Sequence, residues 1–132
     1  QAENNPEVDD DAMIILTYDH FNAIIEASWD WPIGRKDMEI YGVNGVLYAD
    51  NRNNLRMRIS EGYDGYKEES FTLEERQSPL NDPFALFAAV IKNKIQLKPF
   101  DLSSLENNMI AMEILEAAKK SAKNKKTVIL ND

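Results

Sequence analysis

The chain has no cysteine and a single histidine, His20, among its 132 residues. The missing thiols exclude disulfides, thiolate nucleophiles and cysteine-ligated metals. One histidine excludes both a histidine pair for proton relay and a multi-histidine metal site within one chain. Glycine is scarce, at five residues. None of the five stands in a G-x-G-x-x-G turn or in a phosphate-binding loop closed by lysine. No run approaches the roughly 18 apolar residues of a membrane span, and no signal peptide is visible in the polar, acidic start. Cysteine-free chains occur in both cytoplasmic and exported proteins, so the compartment stays open. Positive charge is also in deficit: 15 Lys and Arg stand against 23 Asp and Glu, a net of -8. That balance argues against nucleic acid, whose phosphates require a basic surface. Residues 119–126 nevertheless hold five lysines and no acid. They read first as a solvated helix C-terminus, where cations complement the helix dipole, and second as a patch for anions or acidic lipid.

What is present describes one globular domain over residues 1–132. With 43% hydrophobic and 29% charged residues, it is long enough to bury a core without staples. Asp9-Asp10-Asp11 lacks the alternating ligands and following glutamate of a calcium loop, and reads as a solvated lead into the first strand. Ala12 to Tyr18 is apolar at both parities, which predicts a central strand covered on both faces. Asp19 to Asn22 forms a turn, with His20 as a surface residue within it. Ala23 to Trp31 alternates cleanly and predicts a second strand. Arg35 to Tyr41, Val46 to Ala49, Leu55 to Ser60 and a weaker Tyr66 to Leu73 follow, separated by turns at 42–45, 50–54 and 61–65. Loops of hairpin length make neighbours antiparallel, so no parallel Rossmann sheet is expected in this chain.

The second half is helical. Asp82-Pro83 pairs an N-cap acid with proline at the first helical position. Phe84, Phe87, Ala88 and Ile91 then trace one buried helix face, and Lys92-Asn93-Lys94 ends it. Ser103 and Glu106 form a capping-box pattern for a long helix to about Ala122. Its broad stripe runs through Ile110, Ile114, Ala117, Ala118 and Ser121, with Asn124 as its C-cap. Thr127 to Leu130 is a candidate terminal strand. The expected fold is therefore α+β: a predominantly antiparallel, open-faced sheet of about six strands, with two helices packed on one face. The opposite face would carry Glu26, Ser28, Asp30, Glu39, Tyr41, Arg56 and Arg58. The two-sided apolar first strand favours cover by another subunit or domain.

Chemistry-bearing signatures are few. Nothing pairs two carboxylates as acid and base, and there is no serine elbow or H-E-x-x-H. What remains is the Pro/Gly turn with Trp29, Trp31, Arg35 and Lys36. Aromatic faces and cations suit a sugar or polyol, although Trp29 and Trp31 share a parity with Ile25 and equally suit core filling. Trp31, Arg35 and Lys36 are the candidate ligand-facing residues, and Glu39, Arg56 and Arg58 the candidate interface residues. No catalytic residue, cofactor-binding residue or metal ligand is assigned.

Asp9-Asp10-Asp11-Ala12, the block from Ser28 to Gly45, and Asp82-Pro83-Phe84 together resemble the Gfo/Idh/MocA oxidoreductases. So does Leu105-Glu106-Asn107-Asn108 leading into Ile114 to Ala122. This is the family of glucose-fructose oxidoreductase and inositol dehydrogenase. Trp31-Pro32-x-Gly34-Arg35-Lys36-Asp37-Met38-Glu39-x-Tyr41-Gly42 is the most specific stretch, and the similarity runs in order along nearly the whole chain. The resemblance implies the latter part of the C-terminal substrate and oligomerisation domain, with NAD(P) held by an N-terminal Rossmann domain in the parent protein. The family's E-K-P lysine and D-x-x-x-H motif are missing here, and Leu16 stands four positions before His20. The resemblance thus implies a chain inactive by itself, whose partners are further copies, meeting through the sheet face, and a Rossmann domain. The alternative is a stand-alone binding or oligomerisation module without catalysis.

Overall fold

The computed structural model describes residues 7–130. The chain divides into two compact units, Gln1–Arg76 and Gln77–Asp132. The first holds six strands: β1 (Asp11–Thr17), β2 (Asn22–Ser28), β3 (Met38–Gly42), β4 (Gly45–Ala49), β5 (Asn54–Ser60) and β6 (Tyr66–Thr72). The second holds two helices, α1 (Pro83–Ile91) and α2 (Leu105–Asn124). Every strand pairing among the described residues is antiparallel, and the fold is α+β.

The six strands form two sheets rather than one, β1-β2 and β3-β4-β5-β6. The break falls at residues 29–37, between β2 and β3. Trp29 still donates its N–H to the Asp10 carbonyl at 2.8 Å, extending the β1-β2 ladder. The Asp30 N–H then turns to the Ser28 hydroxyl at 3.1 Å, and Pro32 has no N–H to offer a neighbour. The second strand accordingly stops at Ser28, short of Trp31, and β3 starts only at Met38. β1 was expected to be central, yet it pairs with β2 alone. Ile14 and Leu16 are half-buried, while Met13, Ile15 and Ile24 share the opposite face of the hairpin and are roughly two-thirds exposed.

In the four-stranded sheet the register sorts most side chains by polarity, with Lys67 and Glu69 of β6 on the apolar face and Val46 on the polar one as exceptions. One face carries Met38, Ile40, Leu47, Ala49, Leu55, Met57, Ile59 and Phe71; the other carries Glu39, Tyr41, Tyr48, Arg56, Arg58, Tyr66 and Glu68. The alternation read from the sequence is therefore realised for Glu39, Tyr41, Arg56 and Arg58. Gly45 opens β4 for a steric reason: a Cβ there would stand 2.2 Å from the Arg58 carbonyl oxygen. The β4–β5 turn is held by the Asn51 side-chain oxygen, which accepts from the N–H groups of Asn53 and Asn54 at 2.9 and 3.0 Å.

In the helical unit, Asp82 caps α1 as expected, accepting from the Ala85 N–H at 2.7 Å, with Pro83 at the first turn. The cap of α2 differs from expectation by one residue. Ser104, not Ser103, accepts from the Asn107 N–H at 3.2 Å. That shift puts Glu106 out of phase with a capping box, while Asn108 donates to the Ser104 carbonyl at 2.8 Å. The helix runs to Asn124, and its C-cap is Lys125 in the left-handed region at φ 52. Residues 127–130 form no strand.

Ile114, Ala117, Ala118 and Ser121 are half-buried, tracing part of the expected stripe of α2, but Ile110 at its start is exposed, as are Met109, Met112 and Leu115 beside it, so the buried face is narrower than expected. Phe84, Phe87 and Ile91, expected on a buried face of α1, are instead exposed, and Ala89 is the only buried apolar residue among those described. The chain exposes 12236 Å². Two separate globules of these unit sizes would expose about 8,500 Å². Much apolar surface that a domain ordinarily buries is open. No helix among the described residues is long and apolar enough to cross a membrane.

Candidate functional site

The polar face of the four-stranded sheet is built on β5. Arg56 and Arg58 are two residues apart and project to the same side. The register places Tyr48 of β4 opposite Arg56 and Glu68 of β6 opposite Arg58. Arg56 holds Asp50 through a fork, Nε to Oδ2 at 2.5 Å and Nη2 to Oδ1 at 2.6 Å. Glu68 accepts from Arg58 Nε at 2.5 Å and from Arg56 Nη1 at 3.3 Å. Both guanidinium groups lie over the Tyr48 ring, at 4.6 and 5.2 Å, and Arg58 also lies 4.5 Å from the Tyr66 ring. Tyr41 meets Tyr48 edge-on at 6.5 Å. Its hydroxyl donates to Glu39 Oε2 at 2.7 Å.

These contacts set the titration behaviour of the face. The hydrogen bond from Arg56 holds Asp50 below the usual carboxylate range, and the bond from Arg58 does the same for Glu68. Both arginines are pushed further up, Arg56 chiefly by Asp50 and Arg58 chiefly by Glu68. The Tyr41 phenol is pushed up to about 12, first by its hydrogen bond to Glu39 and then by that carboxylate's charge.

At the end of this face lies a hollow of about 410 Å³, within the roughly 300–1,000 Å³ of ordinary small-molecule sites. One wall is the segment Gly34 to Glu39; the other is Tyr48 to Arg52, at the β4–β5 turn. Arg35 and Asp37 form a fork across two residues, at 3.0 and 2.6 Å, which holds Asp37 below and Arg35 above its ordinary value. Arg35 also comes within 3.8 Å of Glu26 and lies 5.2 Å from the Trp31 ring.

The structure thus gathers the sequence-derived candidates unevenly. Arg35, Lys36 and Glu39 line the hollow. Trp31 stands behind Arg35 without lining it, and Trp29, weighed as core filling, is 90% exposed. Arg56 and Arg58 join in one layer, with Glu39 beside it through Tyr41 and Tyr48. Sequence reasoning missed Tyr48, Asp50, Arg52, Tyr66 and Glu68. Their alternation put Tyr48 and Glu68 on a definite parity, but only cross-strand register says which arginine each one meets. The dinucleotide that the resemblance implies does not fit these residues. Its cradle is a glycine-rich turn from a parallel strand into a helix, and every ladder among the described residues is antiparallel. No family model, curated protein or solved structure matches the chain.

Proposed function

We propose that this chain is a substrate-side and subunit-association portion of an NAD(P)-dependent oxidoreductase acting on a sugar- or polyol-like compound. In this reading a Rossmann domain of the parent protein holds the nucleotide, and the chain alone carries no turnover. The observation that carries the reading is a coincidence of place. Trp31 to Gly42, the stretch most similar to the Gfo/Idh/MocA family, supplies one wall of the hollow and the whole of β3. Substrate contact then belongs to Arg35 and Lys36, with Trp31 backing the Arg35 guanidinium. Association between copies belongs to the Arg–Tyr face, whose residue types are those that dominate interface energetics.

The polypeptide that contains this segment in its source cell tests the reading. A denatured mass well above 15.1 kDa, together with nicotinamide-linked oxidation of polyols by that purified polypeptide, is the expected result. A species at 15.1 kDa without such activity overturns it. That outcome favours the second reading, a stand-alone binding or oligomerisation module, which the exposed Met13, Ile15 and Ile24 of the hairpin support.

A further inference from the structure

The walls of the hollow are unequally committed. Each of its three carboxylates already has a partner: Asp37 takes the Arg35 fork, Asp50 takes the Arg56 fork, and Glu39 accepts the Tyr41 hydroxyl. Two of its three cations do not. Lys36 and Arg52 are exposed, and neither forms an ion pair with a described residue. They come from opposite walls, Lys36 from the segment leading into β3 and Arg52 from the β4–β5 turn. The chain carries 23 acids against 15 bases, so cations left over where the acids are satisfied run against its overall balance. The segments that carry the two cations are held locally. The Asn51 side chain pins the turn that carries Arg52, and the Arg35–Asp37 fork brackets Lys36. A lysine ammonium and an arginine fork, both uncommitted, recognise an oxyanion.

The geometry points to a site for a small hydroxylated organic anion, with Lys36 and Arg52 gripping its carboxylate or phosphate from opposite walls of the hollow. The inference rests on the preceding reading for the sugar-like body and adds that the substrate is charged. Rim groups are placed to take its hydroxyls: the Glu39 and Asp50 carboxylates retain acceptor capacity beyond their present partners.

The test is a nucleotide-free binding titration of the intact protein at about 20 mM salt, where exposed charges are little screened. The probes are gluconate, glucose 6-phosphate, inorganic phosphate and neutral sorbitol. Gluconate or glucose 6-phosphate should bind at least about tenfold tighter than sorbitol. Lys36→Gln and Arg52→Gln should each weaken that binding about fivefold or more, with an unchanged circular dichroism spectrum. Gluconate binding alone assigns a carboxylate ligand, glucose 6-phosphate alone a phosphate ester, and either supports the site. Sorbitol binding as tight as the anions, no binding of either organic anion, binding of inorganic phosphate alone, or anion binding indifferent to both substitutions overturns it. Because no nicotinamide is present, failure here leaves the oxidoreductase reading standing. Failure of the mass and turnover test leaves the oxyanion grip of Lys36 and Arg52 standing and removes only the ground for a sugar-like body.

Discussion

Replacing Gly45 by alanine tests the close approach of β4 to β5 in the four-stranded sheet. The added Cβ would lie 2.2 Å from the Arg58 carbonyl oxygen, and 3.2 Å from both the Arg58 carbonyl carbon and Ile59 Cδ1. Real Cβ atoms essentially never approach closer than 3.0 Å, so the oxygen is too near by about 0.8 Å. The obstacle is backbone, not the end of a flexible side chain, and relief requires β4 and β5 to part where Gly45 faces Ile59. Forced insertions of this kind cost about 1–3 kcal/mol. Gly34 supplies the control: a Cβ there meets nothing within 4 Å and its φ is not positive, so Gly34→Ala should be neutral or slightly stabilising, by up to about 1 kcal/mol. Urea unfolding followed by circular dichroism measures both, with a shifted midpoint and an unchanged slope expected for Gly45→Ala. A Gly45→Ala protein within about 0.3 kcal/mol of the parent would refute the close approach, and with it the β4–β5 register that places Tyr48 opposite Arg56.

The remaining expectations follow from the same geometry. On the proposed sheet-face interface, Arg56→Glu with Arg58→Glu should weaken self-association at least about tenfold by sedimentation, since the Arg56–Asp50 fork, both bonds to Glu68 and all three ring contacts are lost; an unchanged solution mass would sink the sheet-face interface. Ser104→Ala should destabilise by about 1 kcal/mol and Ser103→Ala by far less in thermal unfolding; equal effects would place the cap wrongly. Tyr41 should ionise near 12 by ultraviolet titration, and Glu39→Gln should bring it back toward its ordinary value. Because its folded value is raised, the stabilisation is complete below the unfolded tyrosine range and is lost as pH rises through the folded one. Asp50 and Glu68 have the opposite sign. Their contribution is present above the ordinary carboxylate range and is lost as pH falls below it, so Arg58→Gln should reduce the acid sensitivity of unfolding; an unchanged acid profile would discount the Glu68 contact.

Much of the secondary structure could be read without coordinates because its causes are local. Period-two alternation places Leu55, Met57 and Ile59 on one side and Arg56 and Arg58 on the other, whatever the neighbours. Asp82-Pro83 starts a helix through its own side chain and ring, and turn residues separate the strands of β3 to β6. Where local signals competed, the sequence misled. Ser103 and Ser104 offer the same hydroxyl, and the one that caps is set by the path of the incoming chain. Trp29 continues the parity of Ile25, but the ladder ends before the ring can be buried. Long-range geometry decided the rest. No alternation pattern says that β2 and β3 part company, that Tyr48 lies under two guanidinium groups, or that Lys36 faces a hollow shared with Arg52. Parity is a property of one strand, fixed by the alternating directions of successive Cβ atoms. Adjacency across strands is a property of register, and register exists only once separated segments have closed their loops and paired.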